Sequence, residues 1–562
     1  MQRKKSILPF VIFITLVIVV ALVFGISYRY KPTNERYDLN TFFGNPGAEH
    51  YALMVNDVLL EEQATIENEE IYLAFSTVEE YISDRFFWDE ELKCIIYVMP
   101  DGPHILKAED GFYISEDTVY VKWDLVTKYA QINYVLAERP NRIIIQTEDD
   151  SKSFADVKKD SQIRYRAGVK SPILKDVTKG ESLRILDTVD DWTHVITSDG
   201  FIGYIKSNCL GKEYENVYDI VNADQVYPSV MLDEKICLAW HQMTSTAGND
   251  TLDEKLSGVK GLNVISPTWF FLSDSQGNVK SIADAEYVQT CHNLGIQVWA
   301  LIENITYDVD EYNVFANYSI RQRVIDSLIS ECLRYDIDGI NVDFEQLAVE
   351  EGAGYIQFIR ELSIECHKNG LVLSSDNYVP YNFNSFYNRD EQAVFCDYVI
   401  VMSYDEHLND ETGAGSVASL DYVRYGIEES LKEIPKEKLI NAIPFYTRLW
   451  VETPKTEQEI ASENAADEYS AFNLSWQTLG LADAINYVEE NGMESIWYEE
   501  TGQYYCETEK EGSVYKIWLE DERSLEEKLK IVQEKDIAGI GAWKLGLETD
   551  AVWTLIEKYY PE

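Results

Sequence analysis

The chain has 562 residues, of which 98 are acidic and 48 are basic, so its formal net charge at neutral pH is −50. This charge argues against nucleic acid as a partner, because phosphate binding needs clustered lysines and arginines. With 46% hydrophobic and 13% aromatic residues, the chain can bury large cores, and its length predicts several domains.

The first 30 residues combine a basic start with a long apolar run. Residues 3–5 are Arg-Lys-Lys, and residues 7–26 carry no charge. At about 1.5 Å per residue, this run can cross a bilayer as a helix. We expect an uncleaved, single-pass anchor in the cell membrane over residues 1–30, with everything after residue 30 extracellular. The alternative is a cleaved signal peptide, whose apolar core is usually about 7–15 residues long.

Two β-rich segments follow a polar tether at residues 31–46. Residues 47–158 alternate short apolar runs with acidic turns, which predicts a small β-rich domain that acts as a spacer. This segment faintly resembles the stalk-like domain associated with copper amine oxidases, a resemblance of fold without copper chemistry. Within residues 159–212, short alternating strand candidates at 163–166, 182–186, 192–195 and 203–206 surround Gly and Asp turns. This segment resembles a bacterial SH3-like barrel. In that family such modules often hold cell-wall peptides, so Trp192 or Tyr165 could stack on a ligand; the alternative is that both are core residues.

Beyond residue 230, apolar runs alternate regularly with helical segments such as 320–335 and 421–431. Eight strand candidates can be counted, at residues 236–240, 264–271, 298–303, 339–344, 371–377, 398–402, 442–446 and 540–543. Eight such repeats predict an α/β fold, a (β/α)8 TIM barrel over residues 230–562. The long gap at 451–535 predicts an inserted α+β lobe. It should contain two paired strands, at residues 496–498 and 515–519, and a helix that starts at Ser524, with Glu527 completing a capping box.

The fourth strand candidate carries a polar ladder, since residues 338–345 read Asp-Gly-Ile-Asn-Val-Asp-Phe-Glu. Side chains alternate along a strand, so Asn341, Asp343 and Glu345 share one face, which would point into the barrel lumen. Burial and crowding raise the pKa of at least one such carboxyl, which permits general-acid chemistry near neutral pH. The alternative is a solvated edge strand. Asp338 lies on the opposite face, and we expect it to be structural.

This octet resembles the Asp-Gly-x-Asp-x-Asp-x-Glu signature of glycoside hydrolase family 18, the chitinase-like enzymes. The Met-Ser-Tyr-Asp segment at 402–405 and Gly-Ala-Trp at 541–543 resemble two further segments of that family. Asn341 departs from the usual Asp. Together with residues 374–377, 443–448 and 543–546, it makes the chain more similar to the branch of spore-cortex and cell-wall N-acetylglucosaminidases than to true chitinases.

The resemblance implies a membrane-anchored glycosidase with an extracellular catalytic domain, whose substrate is peptidoglycan or another polysaccharide containing N-acetylglucosamine. The alternatives are a chitinase, a non-catalytic glycan-binding protein on the same barrel, and a structural or signalling wall protein. A chitinase would use the same site chemistry. A non-catalytic glycan-binding protein would be favoured by loss of the acid at position 345, and that acid is present.

The resemblance also implies roles for individual residues. Glu345 would be the general acid, Asp343 would support an oxazolinium formed by the substrate's own acetamido group, and Tyr404 would donate to the acetamido carbonyl. The implied substrate-binding residues are Asn341, Asn377, Met402, Asp405, Tyr446, Arg448 and Trp543. Cysteines and histidines are dispersed without metal-ligand spacing, so we expect no metal, no other cofactor, and buried thiols.

Overall fold

The computed structural model describes residues 8–148, 150–223, 225–409, 412–462 and 472–560. The basic start of the expected anchor and residues 463–471 of the expected insertion lie outside these ranges. The chain divides into two units, which consist of Met1–Trp88, Cys94–Tyr97 and Ile105–Gln225 in the first and of Asp89–Lys93, Val98–His104 and Val226–Glu562 in the second.

The first unit begins with the helix Leu8–Tyr30, which has 23 residues. Its apolar side chains from Phe10 to Phe24, and the side chains of Tyr28 and Tyr30, are exposed. By length and composition this helix could cross a membrane, and a signal sequence would meet the same criteria.

A mixed seven-stranded sheet forms the first β-rich part of this unit. In sheet order its strands are Phe112–Ser115, Thr118–Lys122, Glu70–Ala74, Val58–Glu67, His50–Val55, Arg142–Gln146 and Asn133–Ala137. The helices Phe75–Tyr81, Ala108–Gly111 and Trp123–Tyr129 belong to the same segment. Three shorter strands, Phe87–Asp89, Cys94–Met99 and Gly102–Leu106, form a separate sheet.

A second seven-stranded sheet is antiparallel throughout. In sheet order its strands are Ile173–Val177, Ser161–Arg164, Ile202–Lys206, Trp192–Ile196, Ser182–Val189, Lys152–Asp156 and Tyr214–Asn216. Trp192 is 6% exposed, so the alternative that it is a core residue is confirmed. Tyr165 is 36% exposed and its ring packs against Tyr37, with 4.4 Å between the centroids.

The segment that we expected to be a polar tether packs against this second sheet. The Tyr37 N–H donates to the Ile173 carbonyl, and Asp38 caps the short helix Leu39–Phe42. Phe43 is 1% exposed within the same hydrophobic cluster as Leu183. The tether interpretation was wrong, because buried aromatic residues fix a segment that its polar composition suggested would be free.

The second unit contains a closed barrel of eight parallel strands, which confirms the predicted fold. The strands are β1 (Ile236–His241), β2 (Val264–Leu272), β3 (Gln297–Glu303), β4 (Gly339–Asp343), β5 (Val372–Tyr378), β6 (Tyr398–Met402), β7 (Leu439–Pro444) and β8 (Gly539–Trp543). The barrel closes because β1 pairs with both β2 and β8. Alternate apolar residues fill the lower lumen, including Leu238, Trp299 and Ile400.

Helices surround the barrel and bury the outward faces of its strands. They are Leu252–Lys255, Ala285–Asn293, Glu311–Ala316, Tyr318–Tyr335, Gly352–Lys368, Arg389–Phe395, Leu420–Ser430, Glu522–Lys535 and Asp550–Tyr559, with 3-10 turns at Thr246–Thr251, Val349–Glu351 and Asn382–Tyr387. The short strand Val279–Ser281 pairs antiparallel with β2. The helix expected to start at Ser524 starts at Glu522, because Asp521 caps it by accepting from the Ser524 N–H.

The insertion between β7 and β8 is an α+β lobe built on a five-stranded antiparallel sheet. In sheet order its strands are Phe472–Gly480, Tyr446–Pro454, Ser513–Leu519, Gln503–Lys510 and Glu494–Tyr498, with helices Glu457–Ser462 and Leu481–Glu490. The two strands that we expected to pair directly are separated by Gln503–Lys510. All eight cysteines of the chain are buried and free, as expected.

Candidate active site

The lumen face of β4 begins with Asn341, which is fully buried. Both its amide nitrogen and its amide oxygen form hydrogen bonds. Its Nδ2 donates to Asp376 Oδ1 at 2.8 Å and to Ser374 Oγ at 3.1 Å. Its Oδ1 accepts from Trp240 Nε1 at 2.9 Å and from Ser266 Oγ at 3.1 Å. An aspartate here could not donate twice, so the amide fixes Asp376 without adding a charge.

Asp343, two residues further along the same face, is 8% exposed. Its Oδ1 has no hydrogen-bond partner among the described residues. Burial raises the pKa of Asp343 well above its usual range, and the negative charges of Asp376, Glu345 and Glu303 raise it further. A carboxyl in this setting retains a proton more readily than one in water.

Glu345 lies just past the end of β4 and is half-buried. Burial raises its pKa, the hydrogen bond from the Tyr378 hydroxyl lowers it, and the charges of Asp405 and Glu303 raise it again. The Tyr378 hydroxyl donates to Glu345 Oε2 at 2.7 Å. Asn304 holds the backbone of Glu345 through two hydrogen bonds of 3.0 Å. The carboxyl is therefore oriented from both neighbouring strands.

A second polar group follows β6. The Tyr446 hydroxyl and Arg448 Nη2 both donate to Asp405 Oδ1, the latter at 2.7 Å. The ring of Tyr404 meets that of Tyr446 edge-on, with 6.1 Å between the centroids. Burial raises the pKa of Tyr404 well above its usual range, and the nearby Asp343 charge adds to this effect. Tyr404 is consequently a neutral hydroxyl that can donate a hydrogen bond.

Trp543 and Met402 lie at the carboxyl ends of their strands. Trp543 ends β8, is half-buried, and packs on Trp240 with 5.8 Å between the centroids. Met402 ends β6, is buried, and pairs in register with Tyr378 and Ala442. The two residues are placed at the same end of the barrel as the carboxyl cluster.

Asn377 is not brought to this cluster. It exchanges hydrogen bonds of 2.9 and 3.0 Å with the buried Gln392, on the helix side of β5. Asn377 was therefore wrong as a site residue, and its neighbour Asp376 faces the lumen instead. The alternation of side chains along a strand would have predicted this orientation, because Ser374 and Asp376 share one face of β5 and Asn377 lies on the other.

Three more residues at the site escaped the sequence analysis: Glu303, Asn304 and Tyr378. The sequence does contain a signal for Glu303, since Trp299, Leu301 and Glu303 are two residues apart along β3 and therefore share the lumen face. Asn304 and Tyr378 lie at strand ends in no motif. The expectation for Asp338 is confirmed, because its carboxylate accepts from the Val298 N–H at 2.8 Å and contacts His292.

Within the described parts of the chain, no group of three or more histidine, cysteine, aspartate or glutamate side chains could hold a metal ion. The carboxyls and hydroxyls gathered at this site can transfer protons and form hydrogen bonds. A closed (β/α)8 barrel with carboxyl side chains at the carboxyl ends of its strands, one of them just past β4, has the architecture of a TIM-barrel enzyme.

The chain belongs to the glycosyl hydrolases of family 18, whose sequence profile matches residues 240–548. The uncharacterized glycosylase YvbX of Bacillus subtilis strain 168 is 25% identical over 302 residues, which cover 51% of this chain and 82% of that protein. The cortical fragment-lytic enzyme of the same strain is 26% identical over 251 residues, which cover 43% of this chain and 54% of that enzyme. The match thus spans about half the length of the second relative.

Among solved structures, the spore cortex-lytic enzyme SleL of Bacillus cereus superposes with a TM-score of 0.51 at 17% sequence identity. The match covers 62% of this chain and 78% of that structure. At this identity the similarity supports the fold of the barrel alone.

Proposed function

We propose that this protein hydrolyses β-1,4 bonds after N-acetylglucosamine in peptidoglycan or a related N-acetylated glycan, with retention of configuration and with help from the substrate's own acetamido group. One observation carries the proposal. Glu345 is a half-buried carboxyl just past β4 whose pKa is raised by burial and by neighbouring carboxylates. A proton held near neutral pH is what a general acid needs.

In the first step, Glu345 gives its proton to the departing glycosidic oxygen. The acetamido oxygen of the substrate bonds to the anomeric carbon as the glycosidic bond breaks, which forms an oxazolinium. Asp343 lies two residues away on the same face and supports the positive charge that develops. Water then attacks the anomeric carbon, returns a proton to Glu345, and releases the acetamido group. Two inversions at one carbon retain the configuration.

The residues after β6 and β8 serve this step by holding the sugar. Tyr404 is neutral and can donate to the acetamido carbonyl. Asp405, fixed by Tyr446 and Arg448, offers its remaining oxygen lone pairs to sugar hydroxyls. Trp543 supplies an aromatic face on which a pyranose ring can stack. Asn341 takes part indirectly, because it orients Asp376, and Met402 lines the same end of the barrel.

Peptidoglycan is our preferred substrate because a relative of this chain is a cortical fragment-lytic enzyme and because Asn341 occupies the position of the usual Asp. Chitin is the alternative, since it offers the same N-acetylglucosamine unit to the same carboxyls. A purely glycan-binding role is disfavoured by the intact acid at Glu345.

We also propose that the helix Leu8–Tyr30 anchors the protein in the cell membrane, with the barrel outside. The exposed apolar side chains of the helix and the basic residues that precede it support this location. Apart from the tether, the domain limits given above are part of the same proposal, as is an SH3-like module at residues 159–212. Protease digestion of intact cells should then remove the barrel, and survival of the barrel until lysis would contradict an extracellular location.

The proposed activity is tested by mass spectrometry of the soluble products that the full-length protein in detergent releases from purified peptidoglycan and, separately, from chitin oligomers. We expect peptidoglycan fragments that end in reducing N-acetylglucosamine, absent with the Glu345→Gln variant. Products from chitin alone would favour a chitinase. No product from either substrate would refute the proposed hydrolysis.

A further inference from the structure

Glu303 ends β3 on the lumen side and is 8% exposed. Its Oε2 accepts hydrogen bonds from the N–H groups of Ile305 at 2.7 Å and Thr306 at 2.9 Å. Its Oε1 is buried and has no hydrogen-bond partner among the described residues. The carboxylate is thus rigidly held by backbone while one oxygen is left available.

The strand next to β3 presents a second oxygen in the same condition. Glu303 and Asp343 are paired in register across β3 and β4, and Asp343 Oδ1 also lacks a partner among the described residues. Leaving a buried carboxylate oxygen without a hydrogen bond is unfavourable, because the oxygen has given up its hydration. Two such oxygens side by side indicate that hydrogen-bond donors from another molecule complete this part of the site.

We propose that Glu303 is a substrate-binding residue whose Oε1 accepts a hydrogen bond from a ring hydroxyl of the sugar held beside Glu345. An ionised carboxylate only accepts, so its partner must be a donor. Hydroxyl groups are the most abundant donors on a glycan. This inference rests on the proposed function, because it assigns Glu303 to the substrate of the same site.

The charge of Glu303 gives the proposal a second, independent consequence. That charge raises the pKa of both Asp343 and Glu345. The other ionisable groups that influence these two carboxyls belong to β5 and to the loop after β6, namely Asp376, Tyr378 and Asp405. Removing the charge at position 303 should therefore lower the pKa of Glu345 and move the alkaline limb of the pH profile to lower pH.

The experiment compares Glu303→Gln and Glu303→Asp with the wild type, using full-length protein and the N-acetylglucosamine tetramer. Glutamine keeps an oxygen that can accept from the Ile305 and Thr306 N–H groups. Aspartate keeps the negative charge, but its side chain is one methylene shorter, so its carboxylate lies farther from the sugar. The control is Glu286→Gln, an exposed glutamate on the helix that follows β2. Initial rates give KM and kcat from pH 4 to pH 9, and calorimetry gives Kd in the Glu345→Gln background.

Losing one hydrogen bond to a charged group should weaken binding about 10- to 100-fold in both Glu303 variants. Only Glu303→Gln should also move the alkaline limb to lower pH, and the control should match the wild type. Unchanged Kd and KM in either folded variant would overturn the proposal, because the sugar would then bind without a hydrogen bond to Glu303. If the wild type neither cleaves nor binds the tetramer or peptidoglycan, the proposed function fails and this inference falls with it.

Discussion

Replacing Tyr378 by phenylalanine removes the hydroxyl that donates to Glu345 Oε2 at 2.7 Å and leaves the aromatic ring in place. That hydrogen bond stabilises the carboxylate and lowers the pKa of Glu345. A hydrogen bond to a charged group contributes about 1.5–3 kcal/mol, and 1.36 kcal/mol is a tenfold change in a protonation equilibrium. Because Glu345 is partly exposed, we expect the lower end of this range, about tenfold.

The sign of the effect follows from the role of the acid. Activity needs protonated Glu345 and is lost as pH rises through its pKa. Without the Tyr378 hydroxyl, that pKa rises, so the alkaline limb of kcat/KM moves to higher pH. At a fixed pH above the wild-type limb, the protonated fraction of Glu345 should be about tenfold larger in Tyr378→Phe than in the wild type.

Initial rates on the N-acetylglucosamine tetramer across pH test this shift. Tyr387→Phe is the matched control, because the Tyr387 hydroxyl donates to the Phe344 carbonyl at 3.1 Å rather than to a carboxylate. Its alkaline limb should stay near that of the wild type. The reasoning would be refuted if Tyr378→Phe left the limb unchanged or moved it to lower pH, or if both variants shifted it equally.

Two further substitutions address charge at the site and in a buried ion pair of the helix Glu522–Lys535. Asn341→Asp puts a second carboxyl at the 2.8 Å contact with Asp376. Its negative charge should raise the pKa of Glu345 and move the alkaline limb of kcat/KM to higher pH, and a limb at lower pH would count against this. Lys528→Met should cost about 3–5 kcal/mol in urea unfolding, since Lys528 and Glu520 are both 0% exposed. Lys530→Met, which breaks an exposed pair, should cost less than about 1 kcal/mol, and equal losses would contradict the argument.

The barrel could be predicted from sequence because each strand is a short apolar run between helical segments. The limits of β7 were less predictable, since residues 439–446 are largely apolar and the chain turns at Phe445. The expected strand at 442–446 lies at Leu439–Pro444, and Tyr446 begins the first strand of the insertion. Long-range pairing, which leaves little local signal, also decides which strands of the insertion are neighbours.

Within the site, strand periodicity was a reliable guide, and resemblance alone also placed Tyr404, Asp405 and Trp543 at the carboxyl end of the barrel. Asn341 and Asp343 face the lumen because alternation on β4 requires it. Asn377 was chosen by resemblance, and the same alternation puts it on the wrong face of β5. Glu303 follows the alternation rule on β3 but belongs to no motif. Only the structure shows that its Oε1 lacks a hydrogen-bond partner among the described residues and that Glu303 is paired in register with Asp343.

The central claim is hydrolysis by Glu345 with help from the substrate's acetamido group. Proton NMR of the N-acetylglucosamine tetramer during the first minutes of reaction tests this claim most directly, because it reports the configuration of the newly formed reducing end before mutarotation. The β-anomer should accumulate first. If the α-anomer appears first, water has attacked in a single inversion and the account is contradicted.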